Sequence, residues 1–243
     1  MSSPTSSAPE HIQEFAAGST ILVDKPLNWT SFDVVNKIRW NLKQVLGVKK
    51  IKVGHAGTLD PLATGLLVLC IGKHTKQIND IMVGTKTYTG TILLGKTTPS
   101  FDLETEFNQE FPIDHITEED FEQVRKSFLG EQQQVPPIFS AKQIDGKRAY
   151  DLARAGIEVK MKSNSVTIED FKIDTSDLPN VKFEVTCSKG TYIRSIANDF
   201  GERLKSGGTL IELRRTQSGE QHINEAKTVD EWIEFIRSDR PIV

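Results

Sequence analysis

A chain of 243 residues that is 37% hydrophobic and 26% charged can bury a core and remain in water, and it suits one large domain or a domain with a subdomain. No apolar run approaches the roughly 18 residues of a membrane span, and the opening MSSPTSSAPE lacks the basic flank and apolar stretch of a secretory signal, so a cytoplasmic location is expected. A net charge of −3 argues mildly against a nucleic-acid partner, yet residues 97–124 hold nine acids and no Lys or Arg, leaving +6 on the remainder.

Residues 1–18, rich in Ser, Pro and Ala, read as a mobile tail. Residues 20–24 form a short apolar strand that stops at Lys25-Pro26, because proline has no N–H for a ladder. Ser31 reads as an N-cap for a helix to about Leu46, with Val34, Val35 and Ile38 on its apolar face. Seven basic residues against Asp33 alone mark residues 25–52 as either a basic docking face or a solvated helix face. Residues 52–59 are a glycine-bearing loop. Residues 65–71 read as a buried strand, although their length also fits a helical segment.

Residues 86–94 alternate and are rich in β-formers, hence a strand. Residues 117–129 read as a helix capped by Thr117, with Asp120 at the capping-box position. Residues 135–142 are broken by prolines, and residues 148–155 read as a short helix stopped by Gly156. Strands are expected over 166–174 and 181–188, a helix over 193–205, and a strand over 210–215. The last helix covers 228–237, with Thr228 and Glu231 forming a capping box. Strands and helices mix without a regular βαβ alternation, so the class is α+β with a mixed sheet. The two cysteines, Cys70 and Cys187, lie in apolar strand contexts and lack metal-ligand spacing; they read as small buried thiols.

Chemistry concentrates in residues 54–65, GHAGTLDPLATG. Asp60 stands between turn-formers: Gly54 and Gly57 permit close backbone approach, and Pro61 fixes the chain beside the carboxylate. Such a loop holds an acid rigidly at its mouth, though Asp-Pro also simply initiates turns. There is no phosphate-binding GxxxxGK[ST] run, and the five histidines are scattered.

The segment GHAGTLDPLATGLLVLCIGKHTK resembles the catalytic motif of the TruB family of tRNA pseudouridine-55 synthases. Five further blocks follow that family in its order. They are Leu22–Pro26 with Thr30-Ser31, Lys86-Thr87-Tyr88, the central run from Pro136 through Lys142 to Tyr150, residues 187–195 (CSKGTYIRS), and Leu213-Arg214-Arg215-Thr216. The resemblance spans about residues 19–219, the expected catalytic domain. It implies the pseudouridine synthase fold, a mixed, largely antiparallel central sheet flanked by helices with an RNA-binding cleft. Residues 220–243 then form a short helical extension, too short for the small β-rich RNA-binding domain that bacterial members commonly carry.

The implied reaction breaks the N1–C1′ bond of a uridine in the tRNA T-arm stem–loop, turns the uracil and bonds C5 to C1′. It needs no cofactor and no metal. Asp60 is the implied nucleophile, Arg194 the cation that keeps it ionised, and Tyr88 the ring against the uracil, whose hydroxyl can serve as a base. His55 fills the space left by the flipped uridine, and Asp102 helps hold the arginine. Residues 98–102 read TPSFD, with Pro99 where the family has an acid. Tyr192 and Leu213 line the uracil pocket. Lys25, with Lys142, Lys147, Arg148, Arg214 and Arg215, belongs to the RNA-facing surface. The protein is expected to be a monomer without membrane contact. The alternative is an RNA-binding or tRNA-folding chaperone with the same fold and no catalysis.

Overall fold

The computed structural model describes residues 8–139, 143–144, 147–148 and 161–238. The chain divides into two compact units, residues 1–84 with 214–243, and residues 85–213.

The first unit contains α1 (Glu10–Ala17), β1 (Gly18–Lys25), α2 (Ser31–Leu46), β2 (Val53–His55), β3 (Ala63–Gly72) and the single turn α3 (Ile78–Ile81). Near its end it adds β13 (Gln221–His222), β14 (Lys227–Thr228) and α6 (Val229–Arg237). β1 lies between β14, to which it is parallel, and β3, to which it is antiparallel, so the sheet is mixed. The register sets Ile21 opposite Leu69, Leu22 opposite Val68 and Val23 opposite Leu67. Successive side chains point to opposite faces. Ile21, Val23, Leu67, Leu69 and Ile71 therefore meet Val34, Ile38 and Leu42 of α2 and Trp232 and Ile236 of α6, while Leu22, Leu66 and Val68 form a second cluster with Ala56. Burial on both faces is why β3 reads as a continuous apolar run rather than an alternation.

Two expectations are corrected here. Residues 10–17 are not tail: they form α1, with Ile12 in the core and Phe15 stacked on Trp232 and edge-on to Phe235. The N-cap of α2 is Thr30, not Ser31. The Thr30 hydroxyl accepts from the Asp33 N–H at 3.0 Å, and the Asp33 carboxylate accepts from the Thr30 N–H at 2.9 Å, a reciprocal capping box. Ser31 is thereby freed to point inward, where it is buried.

The second unit carries β4 (Lys86–Leu94), β7 (Gly130–Gln134), β10 (Asn164–Asp177) and β11 (Asn180–Cys187), paired antiparallel in the order β4-β11-β10-β7. Helix α5 (Ile193–Arg203) brings Phe200 onto Phe121 of α4 (Glu118–Ser127) and onto Phe128 and Phe171, with ring centroids 5.8–6.4 Å apart. The acidic stretch builds a β5 (Lys96–Thr97) and β6 (Gln109–Glu110) hairpin and the first turn of α4, where negative charge suits the helix dipole. β8 (Gln143–Ile144) pairs with β9 (Lys147–Arg148). The helix expected over 148–155 lies outside the described residues beyond Arg148, as do Ser140, Lys142 and Tyr150 of the central block. β12 (Gly208–Ser218) carries the chain back to the first unit. The fold is α+β, with a mixed and mostly antiparallel pairing of strands.

Cys70 and Cys187 are free and buried, and burial pushes the Cys187 thiol up to about 11. Among the described residues no helix is long and apolar enough to cross a membrane.

Candidate active site

In the first unit, the loop between β2 and β3 carries Asp60, half-buried, with its neighbours fixed on both sides. Ser31, the first residue of α2, has its hydroxyl on both backbone atoms of Leu59. It donates to the carbonyl at 3.1 Å and accepts from the N–H at 2.8 Å. On the other side of Asp60, the Pro61 carbonyl accepts from the Asn28 N–H at 2.9 Å and from the Lys25 ammonium at 3.5 Å. The Asp60 carbonyl closes a turn by accepting from the Ala63 N–H at 3.1 Å. Proline at 61 supplies no N–H that would need a partner in this crowded turn.

Lys25 departs from the expectation that it lies against substrate: it is fully buried. Its ammonium donates to the carbonyls of Pro26, Trp29 and Pro61, and three carbonyl acceptors satisfy its three donors. Burial pushes its pKa down to about 8; Asp60 and then Asp33 oppose the shift, and Arg215 adds to it. His55 closes β2. Burial and then the Arg215 charge lower its pKa, against a smaller opposing effect of the Gly57 backbone, so the neutral ring is favoured.

A pH test follows from Lys25. Its folded pKa, about 8, lies below its ordinary 10.5. The unfolded chain thus binds the proton more tightly, and this group's contribution to stability rises with pH between those values. Turnover is expected to move the other way. Above about pH 8 the neutral amine retains only two donors for three carbonyls and no charge beside Asp60. The single-turnover rate should fall on this alkaline limb, and Lys25→Arg, which stays charged, should move the limb upward. An unchanged limb in that variant would assign it to another group.

In the second unit, Arg194 is the second residue of α5 and is 5% exposed. Its Nη1 donates to the Phe139 carbonyl at 2.9 Å and lies 3.6 Å from the Asp102 carboxylate, itself 5% exposed. The TPSFD loop presents that carboxylate by a dense local network. The Asp102 carbonyl accepts from the hydroxyls of Thr98 at 2.6 Å and Ser100 at 3.1 Å, and its Oδ1 accepts from the Glu104 N–H at 3.0 Å. Serine and threonine hydroxyls thus order the loop although Pro99 stands where an acid was expected. Tyr192 is held through its backbone, which exchanges two hydrogen bonds with the Gln134 amide at 2.8 and 3.0 Å. Tyr88, 9% exposed, faces Val185 across the sheet, and Leu213 is half-buried in β12.

The structure therefore gathers Lys25, His55 and Asp60 in the first unit, and Asp102 with Arg194 in the second. Arg214 and Arg215, expected at the RNA surface, are both engaged. Arg214 grips Asp24 through two hydrogen bonds of 3.0 and 2.7 Å, and Arg215 is buried at 1% exposure. Sequence reasoning missed Ser31 as a loop anchor and Arg215 as an interior residue. Thr30-x-x-Asp33 was the available signal for the first, since it places the cap one residue earlier. Among the described residues no group of three or more His, Cys, Asp or Glu gathers as a metal site.

Comparison with known proteins bears on the family of the chain. Residues 43–193 match the family described as TruB family pseudouridylate synthase (N terminal domain). A Parabacteroides distasonis protein named tRNA pseudouridine synthase B is 50% identical over 226 residues, which cover 93% of this chain and 96% of that protein. One of the same name from Flavobacterium johnsoniae is 51% identical over 215 residues, covering 88% and 94%. Among solved structures, a chain of a Cbf5-Nop10-Gar1 complex aligns with a TM-score of 0.67 at 25% identity, covering 97% of this chain and 60% of that one. A chain of an H/ACA RNP bound to a substrate RNA containing 2′-deoxyuridine aligns with a TM-score of 0.64 at 25% identity, covering 97% and 59%. This chain thus spans about 60% of the length of those two solved chains.

Proposed function

The chain belongs to the TruB family of pseudouridylate synthases, and on that premise we propose that this tRNA pseudouridine synthase acts on uridine 55 of the T-loop with Asp60 as its nucleophile. The observation that carries the reading is the segment 54–65, which resembles the family's catalytic motif and whose Asp60 sits between backbone atoms anchored by buried side chains. A carboxylate so fixed is preorganised for attack.

The target uridine leaves its stack to reach the site. The Asp60 carboxylate then meets C1′, either forming an ester or supporting the sugar cation as the N1–C1′ bond breaks. The freed uracil turns and C5 bonds to C1′. The C5 proton passes to a base and N1 regains a proton, so atoms balance without redox chemistry or a donor group. The Tyr88 ring sits against the uracil and its hydroxyl takes the C5 proton. Arg194 supplies the positive charge that balances Asp60, and His55, favoured as a neutral ring, fills the space of the extruded base. Tyr192 and Leu213 border the uracil. The enzyme works as a monomer on the T-arm stem–loop, without cofactor or metal.

Mapping pseudouridine in unmodified tRNA incubated with the pure protein tests this. One modified position in the T-loop is expected, and an isolated T-arm stem–loop should react nearly as well. Modification elsewhere would discard the T-loop assignment. Bound but unmodified tRNA would favour the chaperone reading instead.

A further inference from the structure

An arginine that is 1% exposed needs a reason to be inside. Arg215 has one. Its Nε donates to the Leu66 carbonyl at 2.7 Å and its Nη2 to the Gly57 carbonyl at 3.1 Å. Those carbonyls stand at either end of the segment that contains Asp60. The guanidinium thus ties the entrance of the loop to its exit, while Ser31 holds Leu59 inside it.

Two glycines of the segment are explained by the same residue. Gly57 has φ +97°, and a Cβ there would come within 3.4 Å of the Arg215 Nη1. Gly65 has φ +98°, and a Cβ there would stand 2.4 Å from the Arg215 carbonyl oxygen. Both are left-handed positions that a side chain strains, and both lie where the arginine's side chain or backbone passes.

We propose that Arg215 is a positioning residue for catalysis, fixing the Gly57–Leu66 loop so that the Asp60 carboxylate is presented in one place. The proposal rests on the reading of Asp60 as nucleophile. A planar fork with several fixed donors reaches two carbonyls at once; a lysine ammonium at the end of a flexible stem does not reproduce that geometry. Arg215 also places a buried positive charge that acts on Lys25 and His55, so its charge and its geometry are separable by substitution.

The test compares Arg215→Lys, which keeps the charge, and Arg215→Gln, which removes it, with the wild type and with Asp60→Asn. Thermal unfolding, tRNA affinity and single-turnover rate are measured for each, the rate as a function of pH. Both Arg215 variants are expected to remain folded at the assay temperature and to hold tRNA within about threefold. Their rate should fall on the order of 10²-fold, as a loop misplaced by about 1 Å would produce. The alkaline limb set by Lys25 should move upward in Arg215→Gln alone. Rates within threefold of wild type would overturn the proposal. Equal losses of affinity and rate would make Arg215 an RNA contact, and variants unfolded at the assay temperature would make it a residue of the fold only; either result also overturns it. Activity retained in Asp60→Asn would instead remove the nucleophile reading, a failure visible without the Arg215 variants.

Discussion

Asp60→Asn is expected to lower turnover on unmodified tRNA by at least about 10³-fold, equivalent to roughly 4 kcal/mol of transition-state stabilisation, while tRNA affinity stays within about threefold. The amide has the size of the carboxylate but no anion to attack C1′ or to balance a sugar cation. The loop itself should persist. Ser31 binds the Leu59 backbone, Lys25 the Pro61 carbonyl and Arg215 the carbonyls of Gly57 and Leu66, so none of these anchors uses the Asp60 side chain. One secondary effect is expected. Asp60 is the largest influence holding the Lys25 pKa up, so its removal should let Lys25 lose its proton at lower pH. Tritium release from C5-labelled uridine measures turnover, and filter binding measures affinity. A variant that keeps a tenth of the wild-type rate would mean that Asp60 is not the nucleophile.

What the sequence disclosed and what it hid divide along physical lines. The β4 strand was readable to its ends, because Lys86–Leu94 alternates and has β-branched and aromatic residues at the alternating sites. The caps at Thr117 and Thr228 were readable because a hydroxyl followed three residues later by an acid is a local signal. Helix α1 was hidden because its eight residues have little propensity to hold a helix alone. It forms by docking Ile12 and Phe15 onto Trp232 and Phe235, more than two hundred residues away in sequence.

Arg214 and Arg215 posed the same difficulty at the site. Adjacent arginines look alike in composition, yet neighbours on a strand face opposite ways, and only the fold reveals which one meets carbonyls and which one meets Asp24. Lys25 was misread for a related reason. A lysine is almost never fully buried without partners, and its partners here are backbone carbonyls that no side-chain pattern announces. The Asp60 segment was legible because glycine and proline write a loop's geometry directly into the sequence. Its anchors were not, because Ser31 and Arg215 reach it from distant parts of the chain.

Arg194 offers the sharpest separation of fold from chemistry. Arg194→Met should destabilise the protein by about 3–5 kcal/mol, because it leaves the Asp102 carboxylate, 5% exposed, without its cation 3.6 Å away. It also leaves the Phe139 carbonyl without the donor now at 2.9 Å. Adding Asp102→Asn removes the stranded charge. The Asn side-chain oxygen can still accept from the Glu104 N–H, and the Asp102 backbone carbonyl keeps its bonds to Thr98 and Ser100. The double variant should therefore recover part of the lost stability, on the order of 1–3 kcal/mol, a coupling that a double-mutant cycle reads directly. Turnover should not recover. If Arg194 supplies the positive charge that balances Asp60, both variants should remain about 10²-fold slower or worse, with tRNA affinity changed far less. Chemical denaturation gives the first quantity and single-turnover kinetics the second. Turnover that returns together with stability would confine Arg194 to holding the TPSFD loop, and losses of affinity equal to the losses of rate would place it on the RNA backbone rather than beside the reacting sugar.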